Sequence, residues 1–286
     1  FSKQDLPVEN SIALFGAIIF AFQKILSQTQ IIYSNFVKIK FTKNSAIDVV
    51  NIFGQEKSDQ MELIKEDLIF KDKIEIRHGY YKYKNGKRNI FENLNVLIRK
   101  GTSVFIQGDS GQGKTSLLNI LSGLTNLSEG DLMIDNIFLN NLNVQSWHQQ
   151  IFYLTQVPHL FDETILENII LNDKDFNQAR LDSALYISGL NDFINDGSIE
   201  LNKKIGESGK RISGGQRQRL IIARAIYANK NFLIFDEATN ALDEKSEEKI
   251  FENVLKYTKD KTLVVVSHNK SLSKKFDKVI DLNILN

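Results

Sequence analysis

The sequence contains no cysteine, which removes several kinds of chemistry at once. Disulfide bonds, thiolate metal sites and cysteine nucleophiles are all excluded, and the absence fits a reducing, cytosolic setting. Histidine is also scarce. The chain has four, and none lies in a His-Glu-x-x-His pattern or a comparable ligand spacing. The sequence therefore predicts no structural metal site.

The sequence also has almost no net charge and no long uninterrupted apolar run. Thirty-six basic residues face thirty-five acidic ones, so the net charge is +1 and gives no bulk attraction to nucleic acid. The most apolar stretch, residues 12–22, is shorter than the roughly 20 residues that cross a bilayer. With 42% hydrophobic and 25% charged residues, the composition is ordinary for a globular protein with a sizeable core.

Residues 1–67 differ in pattern from the rest of the chain. Apolar residues continue through 23–53 at mostly helical spacing, as in a long helix that leaves a membrane. The start carries two acids beside one lysine and begins at Phe1, unlike a signal peptide, so we expect the truncated end of a transmembrane domain. An amphipathic helix packed on the next domain is the alternative. Residues 54–67 turn polar and predict a linker before a domain at 68–286.

Residues 68–286 alternate short apolar runs with helical periodicity. The strand-like runs are residues 74–83, 94–98, 103–108, 231–238 and 262–268. Helical spacing marks residues 115–124, 221–229 and 246–258. Because the later strands are apolar throughout, they predict an α/β domain with a mostly parallel sheet covered on both faces.

A glycine-rich loop follows one of the buried strands. Residues 108–115 read GDSGQGKT and fit Gly-x-x-x-x-Gly-Lys-Ser/Thr between a strand and a helix. Such a loop binds polyphosphate through backbone amides and a helix N-terminus. We expect Lys114 to reach the β- and γ-phosphates of ATP and Thr115 to hold Mg²⁺. The predicted loop residues are Gly108, Asp109, Ser110, Gly111, Gln112, Gly113, Lys114, Thr115 and Ser116.

Two carboxylates end the run FLIFDE, at the edge where ligands bind open parallel sheets. We expect Asp236 to hold Mg²⁺ through water and Glu237 to orient or deprotonate the attacking water. Capping of the next helix is the other role for such a pair. His268 ends another apolar strand, which would bring it to the same edge beside the γ-phosphate. A structural role is the usual alternative for a lone histidine at a strand end, so its role rests on the motifs that follow.

Residues 212–220, ISGGQRQRL, precede the acidic strand by one helix. Here the chain resembles the ATP-binding-cassette (ABC) family, whose signature is Leu-Ser-Gly-Gly-Gln, with isoleucine in place of the leucine. The signature offers a hydroxyl and unobstructed amides at a helix N-terminus, although taken alone it reads as a helix cap. The resemblance implies nucleotide contacts by Ser213, Gly214, Gly215 and Gln216.

The resemblance covers residue 73 to the C-terminus and implies roles for further positions. It places Tyr83 as the aromatic residue that stacks on adenine, with Tyr80 and Tyr81 as competitors. Gln156 matches the glutamine that senses Mg²⁺ and the attacking water while it contacts the transmembrane domain.

Two further loops match contact segments of the family. Residues 241–243 match the loop that touches the opposite subunit, with Asn240 where serine is common. Gly206 and Glu207 resemble the segment that couples to the membrane domain in exporters, and residues 159–169 look like the exporter form of the helical subdomain.

The resemblance also implies a fold and a set of partners. The fold is a P-loop NTPase core with a mostly parallel sheet, an antiparallel β subdomain and a helical signature subdomain. The cofactors are ATP and Mg²⁺. The partners are a second nucleotide-binding domain, in a homodimer or a paired half-transporter, and the transmembrane domain of the same transporter. We expect an exporter or flippase ATPase at the cytoplasmic face of the inner membrane and no nucleic-acid partner.

Three other classes of ATP-binding protein can be compared with an exporter on features of this sequence. DNA-repair and chromosome ATPases carry a long coiled coil between loop and signature, whereas no sustained heptads separate Thr115 from Ser213. A module that binds ATP without hydrolysis usually lacks Glu237 or His268. An importer ATPase normally lacks an apolar helix such as the one before Leu68. The transported substrate is not encoded in this stretch of sequence.

Overall fold

The computed structural model describes residues 8–54, 67–84, 86, 88–157 and 159–285. The chain divides into two units, one ending at Leu63 and the other beginning at Ile64. Residues 55–66 of the predicted linker lie outside the described residues. The predicted domain boundary after residue 67 therefore stays a prediction.

The first unit contains one long helix, α1 (Val8–Gly54), of 47 residues. The predicted helical spacing is confirmed, and at about 1.5 Å per residue the helix is roughly 70 Å long. Consecutive apolar residues such as Ile18, Ile19 and Phe20 point about 100° apart and are all exposed. Within the described residues, the segment Leu14–Val50 is long and apolar enough to cross a membrane, by length and composition.

The second unit contains two sheets. The strands are β1 (Lys73–Tyr81), β2 (Phe91–Arg99), β3 (Ser103–Gln107), β4 (Glu129–Ile134), β5 (Ile137–Phe138), β6 (Ile151–Leu154), β7 (Phe232–Asp236), β8 (Thr262–Val266) and β9 (Lys278–Asp281). One sheet has the order β2-β1-β4-β5 and is antiparallel. The other has the order β6-β7-β8-β3-β9 and is parallel. The predicted α/β class, parallel core sheet and antiparallel subdomain are confirmed.

Helices connect the strands and form a separate cluster. They are α2 (Lys114–Leu121), α3 (Val144–Gln150), α4 (Ile165–Ile170), α5 (Gln178–Ser188), α6 (Leu190–Asn195), α7 (Gly214–Tyr227), α8 (Glu244–Tyr257) and α9 (Leu282–Leu285). α7 begins in the signature and packs against α4, α5 and α6. The predicted helical signature subdomain is therefore confirmed.

The parallel sheet is covered on both faces, which explains its fully apolar strands. Successive side chains of a strand point to opposite faces. In β7, Leu233 and Phe235 join a core built mainly with the helices α5, α7 and α8. Phe232 and Ile234 join the core that includes α2 and the antiparallel sheet. Every residue of β7 is buried, so no polar alternation is visible in its sequence.

Phe232 should be a large contributor to stability. The centroid of its ring lies 5.6 Å from that of Phe70 and 5.2 Å from that of Trp147, and both pairs of rings are arranged edge to face. We expect Phe232→Ala to lower the free energy of unfolding by about 3–5 kcal/mol. Urea unfolding followed by the fluorescence of Trp147 measures the change.

Phe138→Ala is the matched control, because Phe138 lies on β5 with 54% of its surface exposed. It should change the unfolding free energy by no more than about 0.5 kcal/mol. Equal losses in the two variants would contradict the assignment of Phe232 to the core.

Candidate nucleotide site

The glycine-rich loop joins the end of β3 to the start of α2. Gly113 has a φ of +90°, and a Cβ there would lie 2.5 Å from Cγ2 of Ile90 and 2.8 Å from Cζ of Phe91. Only glycine fits such a position without a shift of the neighbours. At Gly111, φ is +82° and a Cβ would meet nothing within 4 Å. The loop is therefore closed toward the core and open on its outer side.

The first residues of α2 carry the polar groups of this loop. The ammonium group of Lys114 donates to the carbonyl oxygens of Gly108 at 2.8 Å and Asp109 at 3.1 Å. The hydroxyl of Thr115 donates to Oδ2 of Asp236 at 3.0 Å. The structure thus brings the phosphate loop and the acidic strand end together, as the sequence predicts.

Asp236 is a buried carboxylate with two hydroxyl neighbours. Burial raises the pKa of Asp236; the hydrogen bond from Thr115 opposes this shift, and the charge of Glu237 adds to it. The hydroxyl of Tyr153, on β6, has one hydrogen to donate and lies 3.0 Å from Oδ1 of Asn119 and 3.4 Å from Oδ2 of Asp236. Burial and the adjacent Asp236 raise the pKa of Tyr153, so it stays a neutral donor. No motif in the sequence marks Tyr153, and its place became visible only in the fold.

Glu237 sits immediately after β7 in a left-handed backbone conformation with φ +52°. Its amide donates to the carbonyl oxygen of Val266 at 3.0 Å, which continues the pairing with β8. Non-glycine residues in this region cost free energy of the order of 1–3 kcal/mol and cluster at functional sites. Glu237 thus combines a strained backbone with a place directly after the strand end.

Three side chains hold the carboxylate of Glu237. Gln156 donates to Oε2 at 2.6 Å, and Asn240 donates to the same oxygen at 2.8 Å. Nε2 of His268 lies 3.0 Å from Oε1. The three candidate catalytic residues Glu237, His268 and Gln156 therefore meet in one cluster. Asn240, which replaces the family's common serine, adds a contact that the sequence did not predict.

The tyrosines before the loop differ in exposure. Tyr81 is 7% exposed and belongs to the core, whereas Tyr80 and Tyr83 are 37% and 51% exposed. The hydroxyl groups of Tyr83 and Ser116 lie 2.7 Å apart, so Tyr83 is attached to the first turn of α2. The structure thus places Tyr83 beside the phosphate loop and exposes its ring. Its contact with adenine stays a prediction.

The signature residues form the first turn of α7. Oγ of Ser213 accepts from the amide of Gln216 at 3.2 Å, and Oε1 of Gln216 accepts from the amide of Ser213 at 2.9 Å, which is a complete capping box. A hydroxyl that accepts in a cap keeps its own hydrogen for another acceptor. The helix cap is therefore confirmed and is compatible with an anion contact by the hydroxyl, and the contact of the signature with a nucleotide stays a prediction.

The loop after the acidic strand packs on this helix start within the same chain. The backbone amide of Ala241 donates to Oε1 of Gln218 at 2.7 Å. A Cβ on Gly214 would lie 3.4 Å from Cβ of Ala241, and one on Gly215 would lie 3.4 Å from Cδ2 of Leu242, so the loop and the helix start are in close contact.

The phosphate loop has a further partner near the C-terminus: Oδ1 of Asn283 accepts from the backbone amide of Asp109 at 3.2 Å. Sequence reasoning did not find Asn283, which carries no motif.

Comparison with known proteins identifies the family. The family model described as ABC transporter matches residues 91–240. This range contains the phosphate loop, the signature and the pair Asp236 and Glu237, but neither Tyr83 nor His268. The chain belongs to the ABC transporter family.

Individual relatives are transport proteins of bacteria. The chain is 35% identical over 219 residues to an ATP-dependent lipid A-core flippase of Legionella pneumophila. The aligned region covers 75% of this chain and 37% of the flippase. It is 34% identical over 251 residues to the leukotoxin translocation ATP-binding protein of a Pasteurella haemolytica-like species. That alignment covers 87% of this chain and 35% of the relative. This chain therefore spans little more than a third of the length of these relatives.

A solved structure shows the same fold. A bacterial Atm1-family ABC exporter with ATP bound is similar with a TM-score of 0.71 and 27% identity. The match covers 76% of this chain and 38% of the exporter. The family resemblance inferred from the signature is thereby confirmed.

Substitution of Tyr83 tests which ring meets the base. Stacking of a base on an aromatic ring contributes about 1–3 kcal/mol, so we expect Tyr83→Ala to weaken ATP binding about five- to 150-fold. Tyr83→Phe keeps the ring and should bind nearly as well as the unaltered chain. Calorimetric titration with ATP measures both.

Tyr80→Ala is the matched control for the neighbouring exposed ring and should leave ATP affinity unchanged. A loss confined to Tyr80→Ala would show that Tyr80, and not Tyr83, contacts the base.

Proposed function

We propose that this chain is the ATP-hydrolysing domain of an ABC exporter or flippase, in which ATP binding brings two nucleotide-binding domains together and hydrolysis releases them. The observation that supports this most strongly is the cluster around Glu237. A carboxylate with hydrogen bonds from Gln156 and Asn240 lies at the same sheet edge as the phosphate loop.

Glu237 has the geometry of a general base. Oε2 already accepts two amide hydrogens, so its orientation is fixed, while Oε1 faces His268. In the proposed reaction Glu237 orients the attacking water and accepts its proton, which contributes about 10² to 10⁴ in rate. Lys114 is proposed to bind the β- and γ-phosphates, and His268, which lies beside Oε1 of Glu237, is proposed to contact the γ-phosphate.

The residues present fit Mg²⁺ as the second cofactor. The hydroxyl of Thr115 and the carboxylate of Asp236 are adjacent, and Mg²⁺ prefers such oxygen ligands. Gln156 donates through its nitrogen, so its amide oxygen is the atom proposed for the ion. In the described part of the chain no group of three or more His, Asp or Glu residues could hold a metal alone. The phosphates are therefore proposed to complete the coordination, and the ion supplies charge neutralisation when bound.

A second nucleotide-binding domain is the proposed partner. The first turn of α7 offers the hydroxyl of Ser213 and backbone amides at a helix N-terminus, where anions bind favourably. Oγ of Ser213 and Oε1 of Gln216 accept from each other's backbone amides, whereas Arg217 donates to the carbonyl oxygens of Gly209 and Ile212. We infer that this anion site serves the γ-phosphate held by the phosphate loop of the other subunit, in a homodimer or a paired half-transporter.

Residues 1–67 are proposed to be the end of a transmembrane domain and its linker, with residues 68–286 as the ATP-binding domain at the cytoplasmic face of the inner membrane. An amphipathic helix has a single apolar stripe, whereas α1 has apolar residues on every side. This pattern favours a helix surrounded by lipid or by other protein.

In the second unit, Val157, Phe161 and Leu171 are exposed apolar residues near Gln156 and α4. We propose this surface for contact with the membrane domain.

The alternative classes fit less well. Between Thr115 and Ser213 the described residues form short helices and strands, with no helix of the length that a coiled-coil arm needs. A regulatory module without turnover is disfavoured because Glu237 and His268 are both present and lie 3.0 Å apart.

Two substitutions separate ATP binding from hydrolysis. Glu237→Gln keeps the size of the side chain and removes the base, so we expect unchanged ATP affinity and a rate about 10² to 10⁴ lower. Lys114→Ala removes the cation and should weaken binding itself. Phosphate release and ATP titration measure the two quantities. Glu200→Gln, at an exposed surface pair with Lys203, is the control and should behave as the unaltered chain. Normal turnover by Glu237→Gln would refute the assigned base.

Deletion of residues 1–67 tests the domain boundary. We expect the remaining chain to stay folded and to bind ATP, because the phosphate loop and both cores lie in the second unit. The undeleted chain should bind more detergent through its exposed apolar helix. Circular dichroism, ATP titration and light scattering provide the measurements. Unfolding of the shortened chain would show that the first segment belongs to the ATP-binding domain.

A further inference from the structure

A buried carboxylate on α8 joins two loops of the candidate site. Oε1 of Glu247 accepts from the hydroxyl of Thr239 at 2.6 Å and from the hydroxyl of Ser267 at 2.8 Å. Oε2 accepts from the side-chain amide nitrogen, Nδ2, of Asn269 at 3.0 Å. One side chain thus connects the loop after β7 with the loop after β8.

The connected residues are the neighbours of the groups that hold Glu237. Thr239 precedes Asn240, which donates to Oε2 of Glu237. Ser267 and Asn269 flank His268, which faces Oε1 of Glu237. Each oxygen of the proposed base is therefore contacted by a loop that is tied to Glu247.

The position of Glu247 in α8 is unusual for an acid. The buried residues of this helix are Glu247, Ile250, Phe251 and Val254, so the carboxylate lies on the apolar stripe. Glu247 is 6% exposed, and its carboxylate accepts hydrogen bonds from neutral donors of the two loops, on Thr239, Ser267 and Asn269. A buried charge costs several kcal/mol unless it is well hydrogen-bonded, and an apolar side chain would fill this stripe at lower cost. Core packing alone does not account for the acid.

We propose that Glu247 is a positioning residue for hydrolysis, which sets the places of Asn240 and His268 and through them the orientation of the Glu237 carboxylate. The proposal rests on the function proposed above for the loop cluster. Charge-assisted hydrogen bonds are roughly twice as strong as neutral ones, so a carboxylate holds the two loops more firmly than an amide would.

Glu247→Gln tests this with little change of shape. Its amide oxygen can still accept from Thr239 and Ser267, but its NH₂ group then faces the NH₂ group of Asn269. Asn269 resists a flip because its Oδ1 already accepts from the amide of Ser271 at 3.1 Å. Since small displacements of catalytic groups can cost about 10²-fold, we expect kcat to fall about 10- to 100-fold with KM for ATP within about twofold.

The double variant Glu247→Gln with Asn269→Asp distinguishes positioning from general damage. It restores an acceptor opposite the glutamine amide, keeps the acceptor for Ser271 and conserves the net charge. We expect it to recover most of kcat, whereas Asn269→Asp alone brings two carboxylates together and should be slow. Glu252→Gln is the control: it removes one charge and a surface pair with Lys275 from the same helix, and kcat should not change.

Hydrogen exchange of the nucleotide-free chain, residues 1–286, gives a readout that does not depend on turnover. Peptides covering residues 238–241 and 266–269 should exchange faster in Glu247→Gln and recover in the double variant. Unchanged exchange or unchanged kcat in Glu247→Gln, or a loss without recovery in the double variant, would overturn the proposal. Equal turnover by the unaltered chain and Glu237→Gln would instead contradict the proposed function, and the exchange data would still decide whether Glu247 holds the loops.

Discussion

Parallel strands β6, β7, β8 and β3 end at one edge of a sheet, and the candidate site depends on that constraint. The register pairs Leu154 with Phe235, Asp236 with Val266, and Val266 with Ile106. The residues just beyond these ends are therefore neighbours in space although they are far apart in sequence. The contact of Thr115 with Asp236 and those of Glu237 with Gln156 and His268 follow from this alignment. The buried sheet supplies the position, and the loops supply the chemistry.

Much of this arrangement could be predicted from the sequence because its signals are local. An apolar run bounded by glycine or by acids identifies a buried strand and its end, so the places of Lys114, Asp236, Glu237 and His268 follow without a structure. The signature adds the family, and the family adds Gln156. Helix α1 was also visible, from apolar residues at helical spacing.

The rest depended on contacts between distant segments. Strict alternation from Ile74 and Ile76 would bury Tyr80, but irregular pairing with β2 around Gly79 buries Tyr81 and leaves Tyr80 exposed. Helical spacing places Glu247 on the apolar stripe of α8, but its partners Thr239, Ser267 and Asn269 lie in two loops that only the fold brings to it. The contact of Asn240 with Glu237 likewise requires the conformation of the loop.

We propose that the two helix starts of each chain, at α2 and at α7, bind different ATP molecules in a dimer of chains. Mixing two defective variants tests this most directly. Lys114→Ala damages the phosphate loop and Ser213→Arg damages the signature, so in a mixed dimer both defects fall in one site and the other site is intact. Once the heterodimer has been detected by sedimentation, we expect mixing to restore ATP-dependent association and measurable phosphate release. Confirmed heterodimers that recover neither would contradict a site shared between chains.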